Sequence, residues 1–363
     1  MDKVEQRWQP RSVMPDDMEA MSAFLKTFDD AGSMSLIRSL EPKYYAWKLF
    51  HNPRRNGLAW LAIDKEDTNA IVGTTTLVPK YLWCNQAEHL VAEIGDTFTS
   101  PAFQRQGIFS SLVKRTCANA SELDIQLIYG TPNDQSLFGY EKKLNFKQIP
   151  NRVTRLMFPT LPKQATLALL GNRVYRRIPG FLFLNLYRSW YMRSRHAPDI
   201  KVQEVTEFPP DVTNLYIRSR EEFDVMIVRD QTHLTWRYVQ NPDEYRILLA
   251  SDNTRLRGYA VWKQAPWHGQ PVCHLVDYLV LPDDQRAYDA LITHIIQQAT
   301  AEKLALVNLW TMQDSPYYHW LRQRGFLSIR HIPVIVYCAA PLAKQLLEQL
   351  NRWHFTMADA DVI

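Results

Sequence analysis

Between Leu90 and Phe146 lie the side chains whose types and spacing could do chemistry. Gln104-Arg105-Gln106-Gly107-Ile108 is a tight polar loop. It follows an apolar-alternating run, Leu90 to Thr99, broken by Pro101, and precedes a stretch with helical spacing, Ser110 to Ala120 (Leu112, Val113, Cys117). A strand, loop and helix joined in this way point unpaired backbone N–H groups and the positive end of a helix dipole at one spot, which suits a phosphate. Gly107 lets the backbone come close, and Gln104, Arg105 and Gln106 add donors. Glu93 sets a carboxylate in an Ala-Glu-Ile context within the apolar run. Such a group has either a partner or a raised pKa, which are also the conditions for a base. The competing reading is a structural acid paired with a cation from a neighbouring strand. Tyr140 offers a phenol that, at a pKa of about 10, is still protonated at neutral pH. From spacing alone it is equally a helix residue with its ring in the core and its hydroxyl at the edge.

These groups need an α/β frame to hold them. Asp124 to Tyr129 reads as a second buried strand, followed by Asn133-Asp134-Gln135-Ser136 and a helix carrying Phe138, Tyr140 and Leu144 that ends in Asn145-Phe146. Upstream, Trp8 to Val13 reads as a first strand, and Pro15-Asp16-Asp17 as the start of a helix with Met18, Met21, Leu25 and Phe28 on one face. Tyr44 to Phe50 is a short aromatic helix stopped at Asn52-Pro53, and Leu58 to Ile63 with Ile71 to Leu77 forms a hairpin.

In Gln104-x-x-Gly107-x-Phe109 and Asn133-x-x-Ser136-x-x-x-Tyr140-x-x-x-Leu144-Asn145-Phe146 the chain resembles the GNAT superfamily of acyl-CoA-dependent N-acyltransferases. The family patterns are Q/R-x-x-G-x-G/A and N-x-x-A/S-x-x-x-Y-x-x-x-x-G-F. Phe109 departs from the first at its second small residue, and Asn145 stands where the second has glycine, a change Asn tolerates because it adopts left-handed backbone. The resemblance implies a mostly antiparallel sheet with a splayed central strand pair flanked by helices. It further implies acetyl-CoA or another acyl-CoA as co-substrate, with no metal. Gln104, Arg105, Gln106, Gly107, Ile108 and Phe109 would cradle its pyrophosphate, Phe98 and Thr99 would offer backbone donors to thioester and pantetheine, and Asn133 and Ser136 would complete the cofactor site. Tyr140 becomes the acid for the leaving thiolate and Glu93 the base for the amine, with Asp96 as the second candidate.

The chain also repeats itself. Trp47-Lys48 and Asn52-Pro53 recur as Trp236-Arg237 and Asn241-Pro242; Asp96, Pro101 and Gln104 recur as Asp277, Pro282 and Gln285; Thr131, Asp134 and Phe146 recur as Thr311, Asp314 and Phe326. Matches in the same order at the same spacings argue for duplication, so the fold class is α/β with two tandem GNAT-like domains. The second copy has lost chemistry. At the spacing of Gly107-Ile108-Phe109 it carries Tyr288-Asp289-Ala290, and Asn133, Tyr140 and Glu93 become Gln313, Trp320 and His274. The expected division is a catalytic domain over 1–160, a basic and aromatic helical linker over 161–199, a degenerate copy over 200–340 and a helical tail over 341–363.

Composition narrows the remaining classes. A chain of 363 residues suits two domains, and 46% hydrophobic with 22% charged residues is globular. The four cysteines are widely spaced with no C-x-x-C pair, and the histidines show no ligand spacing, so neither a disulfide framework nor a metal site is expected and a reducing cytosol fits. Serines near Gly107 lack the His and acid of a hydrolase elbow. No uninterrupted apolar run approaches the length of a membrane span.

The net charge of +4 is unevenly spread. From Lys142 to Pro198 there is no Asp or Glu against twelve Lys and Arg, which leaves 30 basic and 38 acidic residues, a net −8, elsewhere. Within this run, 164–196 mixes Leu, Phe, Tyr and Trp with six arginines, and reads as interdomain packing, as a peripheral contact with anionic membrane or a lipid-linked acceptor, or, least in keeping with the acidic remainder, as a nucleic-acid patch. No nucleic-acid partner is expected. The expectation overall is an acyl-CoA N-acyltransferase acting on a primary amine of a small molecule or sugar. A cofactor-free binding protein of the same fold and a transferase using an aminoacyl-tRNA donor remain open.

Overall fold

The computed structural model describes residues 7–30, 37–68, 70–150, 152–170, 182–187, 199–348 and 352–360. The first half runs β1 (Trp8–Ser12), α1 (Met18–Asp30), α2 (Pro42–Phe50), β2 (Leu58–Asp64), β3 (Ile71–Cys84), β4 (Ala87–Thr99), α3 (Ile108–Glu122), β5 (Leu127–Gly130), α4 (Asp134–Lys143), β6 (Phe146–Gln148), β7 (Val153–Pro159) and α5 (Pro162–Leu170). A short helix α6 (182–187) follows. The second half runs β8 (Lys201–Val205), α7 (Asp211–Ser219), β9 (Val225–Ile227), α8 (Gln231–Leu234), β10 (Arg246–Ser251), β11 (Leu256–Trp267), β12 (Gln270–Val280), α9 (Gln285–Ala301), β13 (Leu306–Met312), α10 (Pro316–Gln323), β14 (Leu327–Ile332), β15 (Ile335–Tyr337), α11 (Pro341–Glu348) and β16 (Trp353–His354).

Two sheets result, and their strand orders are the same. The first is β1-β2-β3-β4-β5-β15-β6, with β9 and β16 continuing from β3; the second is β8-β10-β11-β12-β13-β7-β14. Each is antiparallel apart from a short parallel pairing at its centre, Val91 to Glu93 with Leu127 to Tyr129 in the first and Cys273 to Leu275 with Val307 to Leu309 in the second, and the β16–β9 pair at the edge of the first. Duplication is therefore visible in topology as well as in sequence.

The halves also exchange strands. β7 leaves the first half to lie between β13 and β14, and β15 returns from the second half to lie between β5 and β6. The divisions expected at 160 and 340 thus do not separate the sheets: β7 lies before the first cut but in the second sheet, and β15 before the second cut but in the first. The tail is only partly helical, since β16 pairs with β9 at the edge of the first sheet. Of the expected linker, 171–181 and 188–198 lie outside the described residues.

The repeated Trp residues sit where the copies meet. The Trp47 and Trp236 rings stack at 4.7 Å and 20°, and Trp47 Nε1 donates to Trp236 O at 3.0 Å. Truncating either buried ring would cost about 3–5 kcal/mol. Asn52 and Asn241 each donate from Nδ2 to a backbone carbonyl, Pro79 O and Arg237 O respectively. These recurrences are packing and backbone satisfaction.

Candidate active site

The polar loop sits at the start of α3 as its sequence predicts. Gly107 is the residue before the helix, at φ 81°, and no side chain caps the helix there. Ser111 N–H donates to Gly107 O at 3.0 Å, so the N–H groups of Ile108, Phe109 and Ser110 have no partner within the helix. The first turn carries no acid, and a Cβ built on Gly107 would meet nothing within 4 Å. This is an open, electropositive cradle. Gln104, Arg105 and Gln106 are exposed around it, and Trp8 Nε1 holds the loop by donating to Gln106 O at 3.3 Å. On the opposite side a Cβ on Gly73 of β3 would lie 2.5 Å from Ile108 Cγ2. That glycine lets the start of α3 press onto the sheet.

Beside the cradle the sheet opens. β4 pairs with β5 only as far as Glu93, while β4 itself runs on to Thr99. A bulge at Asp96, at φ 42°, bends the strand away, with the β3–β4 register shifting between Thr74 and Thr76. Ser100 N–H donates to Val72 O at 2.9 Å and Phe98 lies opposite Thr74, so alternation turns Phe98 N–H toward β3 and Thr99 N–H toward the gap. Of the two backbone donors expected there, geometry aims Thr99 into the opening. The Phe98 ring instead packs on Phe28 at 4.9 Å.

Tyr140 closes the far side. It is buried, and its hydroxyl donates to Thr97 Oγ1 at 3.0 Å, just beyond the bulge; Thr97 in turn donates to Gly95 O and meets Thr75 Oγ1 at 2.9 Å. Burial pushes the phenol above the ordinary tyrosine range, so it keeps its proton. Phe109 packs edge-on against this ring at 5.0 Å, and a Cβ on Gly139 would lie 2.8 Å from Phe109 Cε1. The unusual Phe109 is thus accommodated by the bare Gly139, and its ring is turned toward α4. Asn133 caps α4 by accepting from Ser136 N–H at 2.9 Å and from Ser136 Oγ at 3.0 Å, bonds that use Oδ1 and leave Nδ2 outside them. Asn145 takes φ 58°, the left-handed backbone expected at that position.

The two carboxylates differ in surroundings. Glu93 stands at the fork where β4 and β5 part, buried, with Lys80 Nζ at 2.6 Å. Lys80 also donates to Tyr129 O–H at 3.2 Å and to Asp359 O at 3.2 Å, tying the fork to the C-terminal segment. Sequence reading missed Lys80, whose only signal was a cation two residues past the buried Val78 on the adjoining strand. Asp96 is enclosed, bonded by Arg38, by Lys48 Nζ at 2.6 Å and by Thr76 Oγ1 at 3.2 Å. Asp277, its repeat, is held likewise by Arg229 Nε at 3.0 Å and Tyr259 O–H at 3.0 Å. These bonds make each Asp an anchor of its bulge.

In the second copy the equivalent places are filled. α9 begins at Gln285, so the structural counterpart of Gly107 is Asp284 and not Tyr288, which lies a turn inside the helix. Asp284 accepts from Ala287 N–H at 3.0 Å and sets a carboxylate where an anion would bind; Asp289, which equal spacing put there, is buried facing Arg324 at 3.7 Å. Val280, the repeat of Thr99, donates its N–H to Tyr317 O–H at 3.2 Å. Tyr278, Tyr288, Tyr317 and His354 pack together there at ring separations of 5.0 to 5.7 Å. Among the described residues no group of His, Cys, Asp and Glu could hold a metal ion, and no helix is long and apolar enough to cross a membrane.

Residues 22–146 match the model of the GNAT acetyltransferase family, about a third of the chain. Comparison with curated proteins returns no match. Among solved structures, a GCN5-related N-acetyltransferase from Anabaena variabilis superposes with a TM-score of 0.61 at 14% identity, over 91% of this chain and 72% of that one. Saccharomyces cerevisiae N-myristoyltransferase with bound myristoyl-CoA superposes with a TM-score of 0.64 at 12% identity, over 93% and 81%. At such identities the likeness is one of fold, and it extends across both halves. The chain is built on the tandem GNAT fold, and its residues 22–146 are similar to the GNAT acetyltransferase family.

Proposed function

We propose that the chain is an acyl-CoA-dependent N-acyltransferase whose reaction takes place in the first copy, with acetyl-CoA as donor and a primary amine of a small molecule or sugar as acceptor. The observation that carries this is the uncapped, acid-free start of α3 beside a strand gap, when both features are filled in the second copy. An acyl-CoA pyrophosphate fits the N–H groups of Ile108 and Phe109 with Gln104, Arg105 and Gln106 around it. Asn133 and Thr99 N–H would hold the pantetheine arm.

In this reading the amine nitrogen attacks the thioester carbon, a C–N bond forms and the C–S bond breaks. Thr99 N–H steadies the oxygen as it gains charge. Tyr140 hydrogen-bonds to the departing thiolate and passes it a proton as the C–S bond breaks; the phenolate accepts a hydrogen bond from the Thr97 hydroxyl until a proton from solvent restores the phenol. Glu93 receives the proton lost by the amine, with Lys80 balancing the carboxylate beforehand. Asp96 shapes the bulge. Holding amine and thioester in line contributes on the order of 7–11 kcal/mol in well-oriented reactions, more than either proton transfer.

The donor and acceptor classes rest on the family resemblance. An amine library incubated with acetyl-CoA and with longer acyl-CoAs, read by free thiol release, addresses both. Thiol release with at least one amine is expected. Failure of every pair, together with failure to bind any acyl-CoA, would return the chain to the cofactor-free binding reading.

A further inference from the structure

We propose that the second copy carries a binding site of its own, for a small molecule bearing a phosphate or diphosphate group, in a cavity of about 460 Å³ beside the loop that leads into α9. This goes beyond the acyl-transfer reading and does not depend on it. Four of the eight residues lining the cavity are arginines. Arg218 comes from the last turn of α7, Arg255 from the turn between β10 and β11, Arg257 from β11 and Arg286 from the first turn of α9. Lysine and arginine together make up only 42 of the 363 residues, and all four arginines lie outside the acid-free run, in the part of the chain whose net charge is −8. A lining that is half arginine is therefore a local concentration set against its surroundings.

The hydrogen bonds separate the frame of the cavity from its free donors. Arg257 is frame: Nη1 donates to Asp252 at 2.7 Å and Nε to Asp284 at 2.6 Å, which ties the β10–β11 turn to the start of α9. Asp252 also accepts from Thr254 N–H at 2.8 Å and Arg255 N–H at 3.0 Å, so the turn that presents Arg255 is fixed. Both oxygens of Asp284 are taken, by Ala287 N–H and by Arg257, and the start of α9 is itself closed. Arg286 is paired with Asp199 through Nη2. Arg218 and Arg255 are exposed, and among the described residues their side chains have neither an acidic partner nor a hydrogen bond. Against them the lining sets one further carboxylate, the exposed Asp283.

Two complete guanidinium forks, with part of a third, thus line one preformed cavity. Each fork matches a pair of oxygens, so several forks from different segments suit a phosphate, whose oxygens spread in three dimensions, better than a carboxylate with two in one plane. Acyl-CoA is not the ligand, because Val280 N–H is taken by Tyr317 O–H and no strand gap is left for a pantetheine arm.

The probe is inorganic pyrophosphate, titrated by calorimetry into wild type and into Gly107→Glu, in which the cradle of the first copy takes no part. One pyrophosphate should bind per chain of Gly107→Glu, more weakly as salt rises. Adding Arg218→Gln and Arg255→Gln should leave the thermal melt unchanged, since both side chains are exposed and unpartnered, and should weaken binding by about tenfold for each arginine removed. Pyrophosphate that binds neither protein would overturn the proposal. So would binding to Gly107→Glu that is as tight with the two arginines replaced as with them present. Citrate binding as tightly as pyrophosphate would overturn the assignment to phosphate.

Discussion

Replacing Tyr140 with Phe removes one hydroxyl and leaves a ring packed between Phe109 and Phe146, each at 5.0 Å. The lost contact is one hydrogen bond to Thr97 Oγ1, and Thr97 keeps Gly95 O and Thr75 as partners, so no buried polar atom is orphaned. The stability cost should therefore stay near the net value of a single hydrogen bond, about 0.5–1.5 kcal/mol. The rate should fall much further. A positioned general acid contributes about 10² to 10⁴-fold, so kcat should drop within that range while the dissociation constant for acetyl-CoA hardly moves, because the cradle at Gly107 is untouched. The pH profile gives a second readout. Burial raises the Tyr140 phenol above its ordinary value, so it stays protonated as pH rises and wild type should show no alkaline loss from this group below about pH 10. The assay is initial-rate kinetics on the best amine from the library with calorimetric binding on the same preparations. Wild-type activity in Tyr140→Phe, or a binding defect as large as the rate defect, would refute the acid assignment.

Other expectations follow from named contacts. Glu93→Gln leaves Lys80 buried without its carboxylate and should cost about 3–5 kcal/mol in urea unfolding, largely restored by pairing it with Lys80→Met; if Glu93 is also the base, its rate deficit should shrink as pH rises toward the amine's own pKa, and a constant deficit would remove that role. Gly139→Ala should destabilise by driving a methyl into the Phe109 ring, and Phe109→Ala should rescue it in a double-mutant cycle; an additive result would deny the contact. His274 is buried and pushed down to about 3 from its ordinary 6.5. Held neutral in the folded state, it contributes fully above about pH 6.5 and loses about 1.4 kcal/mol per pH unit as pH falls toward its folded value, so His274→Gln should flatten the acid limb of a stability–pH curve, and an unaltered slope would contradict the burial argument.

How much of this was legible depended on whether the signal was local. β1, α3 and the strand before the phosphate loop could be read because periodicity and breakers fix them within their own residues, and the start of α4 after Asn133 because the Asn133-to-Phe146 spacing resembles a family pattern. The strand exchange could not be read. β7 and β15 are short apolar strands, and nothing in Val153–Pro159 or Ile335–Tyr337 encodes which sheet will accept them. The closed cradle of the second copy was foreseen for the wrong residue: equal spacing pointed to Asp289, whereas Pro282-Asp283-Asp284 ahead of the apolar-periodic Ala287, Leu291, Ile292 and Ile295 carried a helix-start signal that placed Asp284 at the cap. Lys80 meets Glu93 from 13 residues away on the adjoining strand and in turn donates to the Asp359 carbonyl 279 residues on, and a pairing that distant leaves no local trace.

The claim on which the rest depends is that one copy binds acyl-CoA and the other has closed its site. Isothermal calorimetry of the full chain with acetyl-CoA measures this directly. One molecule should bind per chain, Gly107→Glu should abolish the heat by placing a side chain and a negative charge among the free N–H groups of α3, and Asp284→Ala should leave the stoichiometry at one because Tyr317 still occupies Val280 N–H. Two molecules per chain, or undiminished binding by Gly107→Glu, would contradict the account.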